Sequence, residues 1–435
     1  MAHPSALRVL LLLPTTTYRT AAFVEAARRL QVALTVASDR PSTFERAQPT
    51  GLLTLDFAHP DRAAEQAAAF AREHRIAAVV GVDDDTAVLA AMIVERLGGE
   101  GAGELKGNPV SAALAARDKH RQRVRLAERA VPVPGFELHA LDEDPEVLAR
   151  GVRYPCVLKP LRLSASRGVI RADDAPGFVS AFRRLQAILE HPDVAACGES
   201  ARHFLVEAFV PGVEVALEGL VAGGCLHVLA LFDKPDPLDG PFFEETIYVT
   251  PSRLPESTER AIAACAQAAV TALGLRDGPV HAELRHNDRG PWLIELAARP
   301  IGGRCGAVLR FEGRETGNGK GETLSLEELV IRQALGMPLP ALERERRAAG
   351  VMMIPVPGAG VLREVRGVAE ARAVPLVEDV AITAHRGQTL VPWPEGSRYP
   401  GFIFAGGETP EAVEAALRTA HRRLQFDLDA TDDAR

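Results

Sequence analysis

From Leu7 to about Asn108, short apolar runs alternate with longer amphipathic stretches: Val9–Leu13, Ala21–Leu30, Leu34–Ala37, Ala63–Glu73 and Ala77–Gly81. The short runs suit strands buried on both faces and the longer ones suit helices covering them, a rhythm that predicts a doubly wound parallel sheet. Ligands of such sheets sit at the carboxyl ends of the strands. Here those ends are Pro14–Arg19, Ser38-Asp39 and Val82–Thr86. Asp83, Asp84 and Asp85 directly precede a good helical stretch, Thr86–Leu97, so helix capping is favoured over ligand contact for them.

Asn108-Pro109 opens a new helix, and Ser111–Glu128 carries Asp118-Lys119 before Pro132 and Pro134 end it. After Leu148 the pattern turns strand-rich: Cys156–Lys159, Val169-Ile170, Phe204–Val210, Val213–Val221 and Leu226–Phe232, interrupted by one long helix near Pro176–Glu190. A helix over Leu326–Ala334 closes this α+β core. From Gly350 a last segment holds several short strands and a helix started by Thr409-Pro410, whose Val413, Ala416, Leu417, Ala420 and Leu424 keep helical spacing. The expected division is 1–110, 111–345 with a lid at about 150–210, and a separate C-terminal domain at 346–435, fraying from Asp427.

At 435 residues the chain is too long for one ordinary core, and 47% hydrophobic with 25% charged residues leaves no room for extended disorder. A net charge of -8, with no basic stripe interleaved with aromatics, argues against a nucleic-acid partner. The five cysteines are scattered and form no Cys-x-x-Cys pair, so neither zinc nor a disulfide framework is indicated. Val9–Leu13 is far shorter than the roughly 20 residues that cross a bilayer, so no membrane partner and a cytoplasmic location are expected.

Candidate chemistry centres on two strand-like runs, Gly278–Arg285 and Pro291–Ala297, joined by the polar linker His286–Gly290, which reads as a hairpin turn. A turn centred on Asp288 sets Glu295 opposite His281 and makes Glu283 its diagonal neighbour on the same face, about 7 to 8 Å away between backbones. Val280, Ala282 and Leu284 with Trp292, Ile294 and Leu296 would form the apolar underside. Two hard oxygen donors so close suit Mg²⁺, which completes its shell with water and phosphate oxygens and so implies a nucleotide. A solvated strand face partnered by Arg285 and Arg299 accounts for these residues equally well.

Lys159 ends an apolar strand and is followed by the small-residue loop Ser164-Ala-Ser-Arg-Gly168, which reads as a phosphate clamp or, taken alone, as an ordinary turn. Backbone groups around Glu207, Ala208 and Phe209 would match the edge of an adenine, with Phe209 as an apolar wall and Glu214 accepting ribose hydroxyls. The alternative is a sheet whose acids face solvent.

The order Asp118-Lys119, Tyr154–Lys159, small-residue loop, Glu207 to Glu214, Glu283 and Glu295–Gly303 resembles the ATP-grasp superfamily over roughly residues 110 to 335. That resemblance implies an ATP-grasp fold preceded by a Rossmann-like parallel-sheet domain and followed by a small α/β C-terminal domain. It implies ATP and Mg²⁺, with Mn²⁺ as a substitute. Lys119 and Lys159 would contact phosphates, with the Ser164, Ser166 and Gly168 loop over them. Glu207 would contact the adenine amino group and Glu214 the ribose, while Glu283 and Glu295 would hold the metal. Many members carry Asn where this chain has Ala297, which bears on the third metal ligand. Arg299, with Gly302 and Gly303 behind it, would stabilise an acyl phosphate and tetrahedral intermediate or grip a substrate carboxylate.

Within the superfamily, Glu295–Gly303 and the segment after Gly350 are similar to the L-amino acid ligases of the bacilysin-synthetase type. There Lys234, Glu244 and Glu245 would border the acceptor pocket, although a surface loop explains them equally well. The implied activity is ATP-dependent joining of a small-molecule carboxylate to an amine through an acyl phosphate; the oligomeric state is left open, a homodimer being common among similar enzymes. A carboxylase using carboxyphosphate and a non-catalytic ATP sensor are the alternatives.

Overall fold

Four parallel strands, Leu52–Thr54, Ala33–Ser38, Arg8–Leu12 and Ala78–Gly81 in that spatial order, form the N-terminal sheet. The structure, a computed structural model, describes residues 7–15, 17–42, 44–45, 48–98, 105–315, 321–339 and 342–430. Alternation along the first strand splits its side chains between two cores. Val9 and Leu11 pack with Phe23 and Ala26, whereas Leu10 and Leu12 pack with Ala63, Ala67, Leu89 and Ile93. Leu52–Thr54 was not expected from the pattern, being too short to show a period.

The stretch read as one helix over Ser111–Glu128 is two. Val110–Arg117 ends at Asp118, whose backbone is extended and whose carboxylate caps Lys119–Glu128 by accepting from the Arg121 N–H. The break sets Lys119 at the first position of a new helix, with Arg123 one turn further on the same face.

Eight antiparallel strands make the central sheet, in the order Gly290–Ala297, Gly278–Asn287, Val213–Ala222, Cys225–Asp233, Ile247–Thr250, Ala348–Met353, Gly401–Gly407 and Val377–Ile382. An 18-residue helix, Glu256–Leu273, covers one face through Ile262, Ala266, Ala269, Val270 and Leu273; the sequence reading passed over it although its spacing is helical. Residues expected as a separate C-terminal domain thus extend this sheet, because Ala348–Met353 pairs directly with Ile247–Thr250. Nor does the chain fray from Asp427: Gln425–Asp429 is a strand paired with Gly360–Arg366, and residues 431–435 lie outside the described ones.

A third sheet, Phe136–Ala140, His203–Ala208, Cys156–Pro160 and Ile170–Ala172, has its own core of Phe178, Phe182, Leu185 and Phe204. It begins well before residue 150, the start expected for the lid. Among the described residues no helix is long and apolar enough to cross a membrane.

Candidate active site

Glu283 and Glu295 stand directly opposite one another on adjacent strands, not diagonally. The turn joins Asn287 to Gly290, and an irregularity between Glu283 and Leu284 makes two residues of the second strand, Ile294 and Glu295, face one step of the first. Turn and bulge each move the expected register by one residue: His281 lies opposite Ala297, and Leu293 replaces Trp292 and Ile294 on the buried underside. Ile294 turns instead to the cavity, where both acids also lie.

Each acid has its own cation. Lys119 Nζ lies 3.0 Å from Glu295 Oε1 and donates to the Leu163 carbonyl at 2.9 Å. Lys159 Nζ sits 2.7 Å from Glu207 Oε2, and Arg123 Nε is 2.7 Å from Glu207 Oε1. Burial pushes the Glu207 carboxyl up, but the two cations outweigh it and bring its pKa down to about 2. The Glu207 side chain therefore organises cations. Its strand lies inside its sheet, and the N–H groups of Ala208 and Phe209 already donate to Gly135 and Pro155 carbonyls at 2.8 and 3.1 Å. The N–H half of the backbone edge expected there is thus already paired.

Around Glu283 lies a half-buried cluster of acids. One carboxylate oxygen from each of Glu214, Glu245 and Glu283 falls within 4.8 Å of the others, the only such group with metal-holding geometry among the described residues. Lys234 Nζ sits among them, 2.8 Å from Glu214, 2.6 Å from Glu245 and 3.6 Å from Glu283. Arg285 also holds Glu214 at 2.8 Å, and the Tyr248 hydroxyl donates to Glu245 at 2.5 Å. Burial and the Glu283 charge lift Glu245 to about 7 against the pull of Lys234. Burial would lift Glu283 too, but Lys234 and the nearby His281 hold it well below the ordinary carboxylate range.

Arg299 meets Asp84 at 3.0 Å, so the three-aspartate run divides its work. Asp83 caps the helix in a reciprocal box with Thr86, Asp84 reaches Arg299, and Asp85 pairs with Arg117 and Arg162. The turn after Arg299 is pinned from two sides. Arg19 donates to the Pro300 carbonyl at 3.1 Å and to that of Ile301, while the fully buried Glu218 accepts the Ile301 N–H at 2.9 Å. Gly303 has φ +57°, and a Cβ there would lie 2.5 Å from the Met353 sulfur, so this turn requires glycine.

The Ser164–Gly168 loop is strained, with Ala165 and Ser166 at φ 53° and 54°. The C-terminal segment holds it there. Trp393 Nε1 donates to the Ala165 carbonyl at 2.7 Å, the Gly168 N–H donates to Pro394 at 2.9 Å, and Arg167 donates to the Glu395 carbonyl at 3.0 Å. Trp393→Phe keeps the buried ring but removes one bond of about 1 kcal/mol, so nucleotide should leave about fivefold faster. Stopped-flow displacement of a fluorescent ADP analogue reads this directly, and an unchanged off-rate would show that the contact does not steady the loop.

These groups surround a cavity of about 820 Å³. Of the residues singled out from sequence, Lys119, Lys159, Ser164, Ser166, Glu207, Ala208, Phe209, Glu214, Glu245, Glu283, Glu295, Arg299, Gly302 and Gly303 line it, as does Ala297. Gly168, Lys234 and Glu244 do not. Gly168 packs on Pro160, Lys234 lies behind the acids, and Glu244 accepts the Val356 N–H at 2.9 Å. Sequence reasoning missed Arg123, Tyr248 and the Asp84–Arg299 pair, and reached Arg19 only as the end of a candidate strand-end loop. Only Arg123 carried a local signal, its helical spacing from Lys119.

Three families match the chain in order: the ATP-grasp N-terminal domain over residues 24–98, the ATP-grasp domain over 152–308 and the L-amino acid ligase C-terminal domain 2 over 352–429. Alanine–anticapsin ligase of Bacillus subtilis (strain 168) is 30% identical over 221 residues, 48% of this chain and 45% of that protein. The chain therefore spans about half the length of this curated relative. The crystal structure of L-amino acid ligase from Bacillus licheniformis aligns with a TM-score of 0.80 and 27% identity, covering 98% of this chain and 100% of that one. A carboxyaminoimidazole ribonucleotide synthase from Aspergillus clavatus, complexed with ATP, shares the fold at a TM-score of 0.68 and 16% identity, covering 97% of this chain and 100% of its own. Matched from its parallel sheet, through the cavity, to its last helix, the chain belongs to the ATP-grasp superfamily and carries the C-terminal domain of L-amino acid ligases.

Proposed function

We propose that this protein uses ATP to join the carboxylate of one amino acid, or amino-acid-like molecule, to the amine of another, releasing ADP and phosphate. The observation that carries this reading is that Glu283 and Glu295, opposed in register, share one cavity with Lys119, Lys159 and Arg299. The names of the similar proteins, an alanine–anticapsin ligase and an L-amino acid ligase, support the choice of substrates.

Glu283 and Glu295 fit a divalent ion in donor type, since both are oxygen ligands on one cavity wall and Glu283 stays ionised. Mg²⁺ or Mn²⁺ held there would supply charge neutralisation at the terminal phosphate. Lys119 and Lys159, which line the cavity with the Ser164–Ser166 loop, neutralise the phosphate oxygens while a substrate carboxylate oxygen attacks the γ-phosphorus. The bond from that phosphorus to the β-phosphate oxygen breaks, ADP departs, and an acyl phosphate forms. The amine then attacks the acyl carbon, Arg299 steadies the tetrahedral oxyanion, and phosphate leaves. The sheet over 136–208 closes over the reactants and keeps water from the acyl phosphate.

The test is metal-dependent phosphate release from ATP across amino acids supplied singly and in pairs, with bicarbonate as a separate condition and product masses recorded. Release that requires two amino acids and yields a dipeptide mass is the expected result. Release that follows bicarbonate alone, or binding of ATP with no release under any condition, overturns the ligase reading.

A further inference from the structure

The half-buried carboxylates Glu214, Glu245 and Glu283 have the spacing of a metal site, yet their centre is filled by a side chain. An ammonium carries three donors in roughly the directions that a small cation's ligands would take. Lys234 aims these at the triad: two reach Glu214 and Glu245 at hydrogen-bonding distance, and Glu283 lies further off at 3.6 Å. Its side chain is 3% exposed and stands 5.0 Å from the Tyr248 ring centre.

We infer that Lys234 is the resident cation of this cluster, a positioning residue that keeps Glu214 and Glu245 from ligating a divalent ion and leaves Glu283 alone free to share one with Glu295. The asymmetry of the three distances is the reason. Glu214 is doubly held, by Lys234 and Arg285, and Glu245 is held by Lys234 and Tyr248. Glu283 has only the long Lys234 contact and His281 at 3.4 Å, both at Oε1, so it is the member that the ammonium holds least, and it lines the cavity. With Lys119 also resting on Glu295, the nucleotide-free protein has no competent divalent site, and the metal enters as its nucleotide complex. This inference rests on the proposed function only in taking Glu283 as a metal ligand.

The test counts metal without measuring turnover. Mn²⁺ is titrated into the full-length, nucleotide-free protein and followed by electron paramagnetic resonance, with circular dichroism and thermal melting as checks of folding. Lys234→Gln should gain one Mn²⁺ equivalent, bound at least about tenfold more tightly than any site in the unaltered protein, because charge count sets affinity in an oxygen cage. Adding Glu245→Gln to that variant should abolish the gain, and Lys234→Arg should behave as the unaltered protein. A folded Lys234→Gln with no added equivalent overturns the inference.

A second variant decides the matter if Lys234→Gln does not fold. Glu245→Gln alone, with Lys234 in place and ADP present, should leave Mn²⁺ affinity within about twofold, since Glu245 is not a ligand while the ammonium holds it. A loss of tenfold or more would make Glu245 a ligand and overturn the inference. Neither outcome depends on which substrates the protein joins, so the ligase reading can fail while this one stands, and the reverse.

Discussion

Glu295→Ala is expected to reduce ATP turnover at least about 10³-fold, equivalent to about 4 kcal/mol of transition-state stabilisation, while leaving the protein folded. The side chain is 32% exposed at the cavity wall, and its cation partner Lys119, although buried, keeps an acceptor in the Leu163 carbonyl. What it does remove is one of the only two carboxylates brought face to face by the hairpin. Binding of nucleotide in the absence of metal should change little, because Lys119 and Lys159 remain for the phosphates. Phosphate release and a thermal melt on the same preparation test both halves. Turnover within tenfold of the unaltered protein would remove Glu295 from the metal site and with it the mechanism given above.

Glu207→Ala should be the most damaging single change to stability. It leaves Arg123, fully buried, and Lys159, nearly so, without their shared anion. Breaking a buried pair from one side costs about 3–5 kcal/mol, because the stranded charge is far worse than an absent pair. Glu207→Gln should fall between, since the amide keeps one acceptor for the two cations but no charge. Urea unfolding measures the difference, and a loss below about 1 kcal/mol for the alanine variant would show that water reaches these cations after all.

The same group gives a pH signature. Its folded pKa, about 2, lies below the ordinary 4.5, so the stability it contributes is fully present above about pH 4.5 and is lost as pH falls toward 2. Glu283 acts in the same direction, because its carboxyl is also held below the ordinary range. Melting temperature should therefore drop as pH is lowered through that window, and Glu207→Gln should show a shallower drop. Parallel profiles for the two proteins would assign the acid sensitivity elsewhere.

What the sequence determined by itself is local in origin. The alternation of Val280, Ala282 and Leu284 buried the right face of its strand, the small-residue loop after Lys159 lies on the cavity wall, and Thr409-Pro410 starts the last helix, because each depends on residues only a few positions apart. The order of acids and lysines was enough to point to the superfamily, since order survives where register does not. Register was decided by the turn at Asn287–Gly290 together with the bulge at Ile294, neither of which the hydrophobic pattern encodes, and between them they turned a diagonal pair of acids into an opposed one. Only the tertiary structure decided which cation each buried acid keeps. Glu207 took Arg123, Arg299 took Asp84, and Lys234 withdrew from the cavity into a cluster of three acids. Burying a charge is tolerable only beside a partner, and those partners come from segments far apart in the chain, so the choice exists only once the fold has closed.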